Sequence, residues 1–139
     1  MNLANCITIA KNDLYSILVD KTKNRAYLVL KGKWEKNSSL ENYLSDIKLG
    51  ISKLKPDFTL LVDLTQYGGT SSDLYSIHID SLKLAVNSGL KRAAEVFNNN
   101  PLLKLLFECY AKESGANTME FFDMMQAENW LDLYTAKDQ

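Results

Sequence analysis

From residue 58 onward the chain alternates between short apolar runs and stretches with helical periodicity, and this alternation restricts the fold more than any other feature. Phe58-Thr-Leu-Leu-Val-Asp-Leu64 is too short, and too rich in apolar and β-branched residues, for a surface helix; it reads as a buried strand. Leu74, Ile77, Leu84 and Ala85 then follow at helical spacing up to Gly89, which predicts a helix over 74–89 ended by a glycine. Leu90–Phe97 is the next strand. Asn100-Pro101 opens a third helix with proline at the first helical position, and Leu102, Leu103, Leu106, Tyr110 and Ala111 form its apolar stripe up to Gly115. In 117–131 a short apolar strand runs into a helix start. Asp123 can accept from first-turn N–H groups, Gln126 can reach back as in a capping box, and Ala127, Trp130, Leu131 and Tyr134 share one face. Trp130 and Leu131 are therefore expected to be buried. Repeated strand–helix units favour parallel neighbours, right-handed crossovers and helices on the sheet faces.

The first third differs. Cys6–Ala10, Leu14–Asp20 and Arg25–Lys33 are three strand candidates, and the polar turn Lys21–Asn24 joins the last two into an antiparallel hairpin. The nearly continuous apolar run of the third suggests a central strand covered on both faces. Ser38 and Glu41 form a capping-box pattern ahead of Leu40, Tyr43, Leu44, Ile47, Ile51 and Leu54, a helix that ends before Pro56. Thr65–Thr70, with Gly68-Gly69, reads as a loop, and Thr70 with Asp73 as another capping box. The expected order is β-β-β-α-β-α-β-α-β-α in a single α/β domain over 1–139.

Composition removes several function classes. A formal net charge of −1 gives no electrostatic reason to expect nucleic acid or an anionic membrane as partner. Lys31, Lys33 and Lys36 read as edge-strand lysines that discourage aggregation. Two cysteines without a CxxC pair and a single histidine argue against a zinc site. No apolar run approaches the ~20 residues that span a bilayer, and no signal-peptide pattern opens the chain. A cytoplasmic protein with free thiols and no cofactor is the expectation.

Particular residues carry a family resemblance. The buried strand ends in Asp63-Leu64, a glycine-containing loop precedes the second helix, and Lys91-Arg92-Ala93 opens the next strand. Phe122-Asp123 is followed by Ala127-Glu-Asn-Trp130-Leu131. In this order, over roughly residues 14–134, the chain resembles the SpoIIAA-like branch of the STAS-like domains. The resemblance implies a mixed β-sheet with an N-terminal antiparallel hairpin followed by βα units and helices packed on the sheet. It also implies a non-enzymatic module that binds a partner protein, since better-known relatives are anti-sigma-factor antagonists switched by phosphorylation of a serine after the central Asp-Leu strand. Here Ser71-Ser72-Asp73-Leu74 occupies that stretch, with Ser72 nearest the phosphoacceptor position and Ser71 and Leu74 standing where Asp and Gly are expected.

Each candidate also has a structural reading. Ser71 and Ser72 suit a helix start without any regulation, and Gly68-Gly69 suits a tight turn better than a phosphate cradle, lacking the remainder of either phosphate-binding fingerprint. His78 is expected at the surface or its boundary, and Cys109 as a buried, inert thiol. Glu108, Glu113, Glu120 and Glu128 are spread over different elements and assemble no acid/base pair. Met119, Met124 and Met125 with Phe121 are the one suggestive apolar cluster. Where exposed, it would mark a homodimer face or a pocket for a small apolar ligand such as a lipid; otherwise it is core.

Overall fold

The computed structural model describes residues 3–137, with side chains described as far as Leu133. The expected order of elements is the observed one: β1 (Ile7–Lys11), β2 (Tyr15–Asp20), β3 (Arg25–Trp34), α1 (Tyr43–Ser52), β4 (Phe58–Thr70), α2 (Tyr75–Asn87), β5 (Leu90–Val96), α3 (Pro101–Ser114), β6 (Thr118–Phe121) and α4 (Met124–Lys137). The six strands form one sheet in sequence order. Pairings of β1 with β2 and β2 with β3 are antiparallel; those from β3 to β6 are parallel.

Because each parallel strand is laid beside the last in the same direction, right-handed crossovers carry α1, α2 and α3 to one face. Alternation along the strands confirms it. Ala26, Leu28, Leu30, Leu60, Val62 and Leu64 pack with Tyr43 and Ile47 of α1, Leu82 of α2, and Leu103, Phe107 and Tyr110 of α3. The intervening Tyr27 and Leu61, with Ala94 and Val96, pack with Ala127 and Leu131 of α4 on the other face. Leu61 and Leu64 are fully buried, so 58–64 is an internal strand as expected. A sheet wound in one direction also has no switch point, the crevice where doubly wound sheets bind ligands.

Helix ends follow their local chemistry in α3 and α4. Asn100 Oδ1 accepts from Leu103 N at 3.1 Å, Gly115 closes α3 with φ 78°, and Asp123 Oδ1 accepts from Met125 N at 2.7 Å and Gln126 N at 3.3 Å. Gly89 ends α2 with φ 103°, where a Cβ would stand 2.9 Å from Pro56 Cα. Neither backbone conformation nor space admits a side chain there.

Four local expectations are corrected. The helix after Trp34 begins at Tyr43, and Ser38 Oγ instead accepts from Glu35 N at 2.8 Å within a turn. Thr65–Thr70 is not a loop but the continuation of β4, paired with Lys31–Trp34 through register shifts. Thr70 forms no capping box; its Oγ1 donates to the Trp34 carbonyl, and a 3₁₀ turn, Ser72–Leu74, leads into α2. Lys31 and Lys33 lie on β3, which is internal, although β2 pairs only as far as Leu30 and leaves one side of this β3–β4 extension open.

Candidate functional site

Two buried polar groups and one exposed apolar segment stand out from the fold. The first group lies under α2. Its buried stripe runs His78, Ser81, Leu82 and Ala85, the spacing of one helical face, and brings the histidine against the sheet. His78 is 2% exposed, not the boundary residue expected. Its ring lies nearly parallel to Trp34 (centroids 5.1 Å, 21°) and Tyr110 (5.3 Å, 26°), with Tyr67 and Phe107 more steeply inclined. Tyr67 Oη and His78 Nε2 are hydrogen-bonded at 2.8 Å. Burial pushes the imidazole down to about 3, so it is neutral throughout the physiological range.

Beside this aromatic group, between the sheet and the three helices, is a cavity of about 40 Å³. Apolar side chains make most of its wall, and Tyr43, His78, Ser81 and Glu95 supply the polar atoms. Tyr43 Oη and Glu95 Oε2 have no hydrogen-bond partner in the protein. Ser81 Oγ lies beside the tyrosine but donates to the His78 carbonyl at 2.9 Å. Glu95 is 1% exposed; burial first, and then the neighbouring charges of Glu120 and Glu108, push its carboxyl up to about 8. At neutral pH the chamber therefore offers hydrogen bonds without charge. Glu95 escaped the sequence reading, although a glutamate two residues from Ala93 and from Phe97 in an apolar strand shares their face.

The second group fastens α4 to the opposite face. Arg25, fully buried, pairs with Glu128 at 2.7 Å and Asp132 at 2.9 Å and donates to Thr59 Oγ1 at 2.9 Å. Lys23 reaches Glu128 at 2.8 Å, and Tyr27 Oη donates to the same carboxylate oxygen at 2.5 Å. Burial alone would push Glu128 up, but the Lys23 and Tyr27 hydrogen bonds and the Arg25 charge outweigh it and hold the carboxyl below its usual range. This network is a structural latch.

The residues singled out in the sequence do not converge. Asp63 accepts from Thr65 N at 3.0 Å and from Thr65 Oγ1 at 2.7 Å, at a register shift within β4. Ser72 is exposed on the 3₁₀ turn, and Ser71 is half-buried with its Oγ unpartnered. Because β4 continues from Asp63 to Thr70, roughly 20 Å of strand at ~3.3 Å per residue separates Asp63 from the serines. Cys109 is exposed on α3, contrary to expectation.

The methionine cluster divides. Phe121 and Met124 are partly buried against the α4 face, while Met119 is 47% and Met125 65% exposed. Phe122 between them is 67% exposed, with Lys104 Nζ 5.9 Å from its ring centre. This segment borders an open sheet edge. Ala93 N bonds to Asn117 O and Phe97 N to Phe121 O, so in a parallel ladder the backbone groups of Thr118 and Glu120 turn outward. Trp130 is only half-buried; Leu131 is fully buried. The Tyr134 side chain lies outside the described residues. Among the described residues no cluster suits a metal ion, and no helix is long and apolar enough to cross a membrane.

No family model matches the chain, and no curated protein matches it in sequence. A solved structure does match: a protein of the DUF3478 family from Shewanella loihica PV-4, itself uncharacterised, with a SpoIIAA-like fold. The likeness has a TM-score of 0.59 at 20% identity and covers 88% of this chain and 97% of that one. With its antiparallel start, parallel continuation and four packed helices, this chain has the SpoIIAA-like, STAS-like fold.

Proposed function

We propose that the chain is a non-enzymatic, STAS-like interaction module that docks an extended segment of a partner protein along the outer edge of β6. The observation that carries this reading is the coincidence, in one short segment, of outward-facing backbone groups with exposed Met119, Phe122 and Met125. Large apolar side chains around an unpaired edge suit strand addition, in which main-chain hydrogen bonds give affinity and apolar contacts give specificity. Methionine adds a flexible, polarisable surface. The SpoIIAA-like fold supports an STAS-like role without naming a partner.

The test uses a photo-crosslinking amino acid placed at Phe122 in the full chain, in its own cells, with a second at exposed Leu49 as control. A discrete adduct from 122 only, lost in a Met119→Lys/Met125→Lys double variant whose unfolding midpoint is unchanged, supports the reading. Adduct of the chain with itself identifies a homodimer instead. Equal labelling from both positions overturns the docking site.

A further inference from the structure

The two sides of the β6 edge differ in chemistry, and the difference specifies the segment that docks there; this rests on the docking reading above. Residues along a strand alternate between the faces of the sheet. Thr118 and Glu120 stand in register with Ala93 and Glu95, on the face of α1–α3, while Met119 and Phe121 stand in register with Ala94 and Val96, on the face of α4. On the α4 side the edge is apolar. Met119 is 47% exposed, and the Phe121 ring lies 5.6 Å from that of half-buried Trp130. On the α3 side it is acidic. Lys104 pairs with Glu120 at 3.1 Å, its Nζ also lying 5.9 Å from the ring centre of Phe122. Glu108, exposed one helical turn beyond Lys104, stands against Glu120, whose hydrogen bond and charge raise the Glu108 carboxyl above its usual range. One lysine thus faces two carboxyl groups. Glu95 behind them is buried and protonated near pH 7, and adds no charge.

We infer that the segment received at β6 is an amphipathic strand, apolar at the alternate positions that meet Met119 and Phe121 and carrying lysine or arginine at those that meet Glu120 and Glu108. A strand added to the edge continues the alternation of the sheet, so its side chains divide between the same two faces. Opposite charges directly across a strand pair stabilise it and like charges oppose it. A cation beside Glu120 and Glu108 relieves their mutual repulsion, whereas an acidic residue there adds to it. The outward backbone groups of Thr118 and Glu120 supply the ladder that holds this register.

The probes are three short peptides in which valine alternates with lysine, serine or glutamate. Each is titrated at pH 7 into the isotope-labelled full chain, with amide shifts and hydrogen exchange as readouts. The lysine peptide should protect the Thr118 and Glu120 amides and bind about three- to tenfold tighter than the serine peptide, with the glutamate peptide weakest. In a Glu108→Gln/Glu120→Gln double variant the lysine peptide should fall to the affinity of the serine peptide, whose own affinity stays unchanged. Should that variant fail to fold, the order of the three peptides on the unmodified chain decides the matter. Equal affinity of the three at these amides would overturn the inference while leaving docking at β6 in place. Binding of the lysine peptide at the other acidic hollow, around Asp13, Glu41 and Asp46, would show attraction to negative charge alone and overturn it as well. Protection that rises with protein concentration in the absence of peptide would give the edge to a second copy of the chain. Failure of every peptide to protect Thr118 and Glu120 would also defeat the inference, and crosslinking through position 122 then judges the docking reading by itself.

Discussion

Glu95 stands on a strand whose neighbours on the same face, Ala93 and Phe97, are core residues, and its protonation ties stability to pH. Folding raises its pKa from 4.5 to about 8, so the folded chain binds more protons than the unfolded one between those values. Stability from this group is full below about pH 4.5 and is lost as pH rises towards 8. His78 works in the opposite direction, because its pKa falls from 6.5 to about 3 and its contribution is lost as pH drops through that range. The two oppose each other between about pH 4.5 and 6.5, and above 6.5 Glu95 acts without that opposition. Glu120 and Glu108 sharpen the effect; Lys104, 3.1 Å from Glu120, moderates it. Denaturant unfolding should therefore show stability falling between pH 6.5 and 8, by up to about 1.4 kcal/mol per pH unit. Glu95→Gln should flatten this slope and be the more stable protein at pH 8; an unchanged slope would show that Glu95 is ionised in the fold. Neither residue was readable locally. The burial of Glu95 depends on the helices laid over its face of the sheet, and that of His78 on rings delivered by three other elements, β3, β4 and α3.

At the scale of elements, α4 depends on a narrow apolar contact and a charged latch. Leu131 is fully buried where Trp130 is not, so Leu131→Ala should cost about 2–5 kcal/mol and Trp130→Ala less. Glu128→Ala should cost about 3–5 kcal/mol, because it strips a buried guanidinium of its 2.7 Å partner. Urea unfolding of the three variants checks both size and order; a Trp130 effect larger than that of Leu131 would contradict the packing. The start of α4 was legible because Asp123 caps within its own first turn. The latch was not, since Lys23 and Arg25 lie about a hundred residues from Glu128 and only the register of β3 beneath α4 brings them together. The end of β4 misled for a related reason. Gly68-Gly69 is a strong local turn signal, yet pairing with Gly32–Trp34 draws the segment into the ladder, and Gly69, with φ 101°, absorbs a register shift as a bulge residue does.

Across the whole molecule, the long β4 separates Asp63 from the serines that follow it in sequence. Phe121, Val96 and Asp63 are level in register, whereas Ser72 lies beyond Thr70, roughly 20 Å further along the strand direction. That exceeds the Debye length of about 8 Å at physiological ionic strength, so a charge at Ser72 is screened from the β6 edge. Ser72→Asp should leave crosslinking through position 122 unchanged, and its loss would place the serine within reach of the docked partner. The same architecture divides the core unequally. Three helices cover one face, while the other is covered by α4, packed on Tyr27, Leu61, Ala94 and Val96, with Leu3 and Cys6 of the N-terminal segment beside it. Removing residues 122–139 would expose those four side chains together and take Glu128 and Asp132 from Arg25. The first six-stranded sheet face would remain packed, but a contiguous apolar patch with a buried cation at its margin would meet water. The truncated chain should therefore lose its cooperative unfolding transition and associate, seen as concentration-dependent mass in sedimentation and as dye binding to exposed apolar surface. A truncated chain that stayed monomeric and unfolded cooperatively would show that the second face contributes little, and that the domain stands on α1–α3 and the sheet.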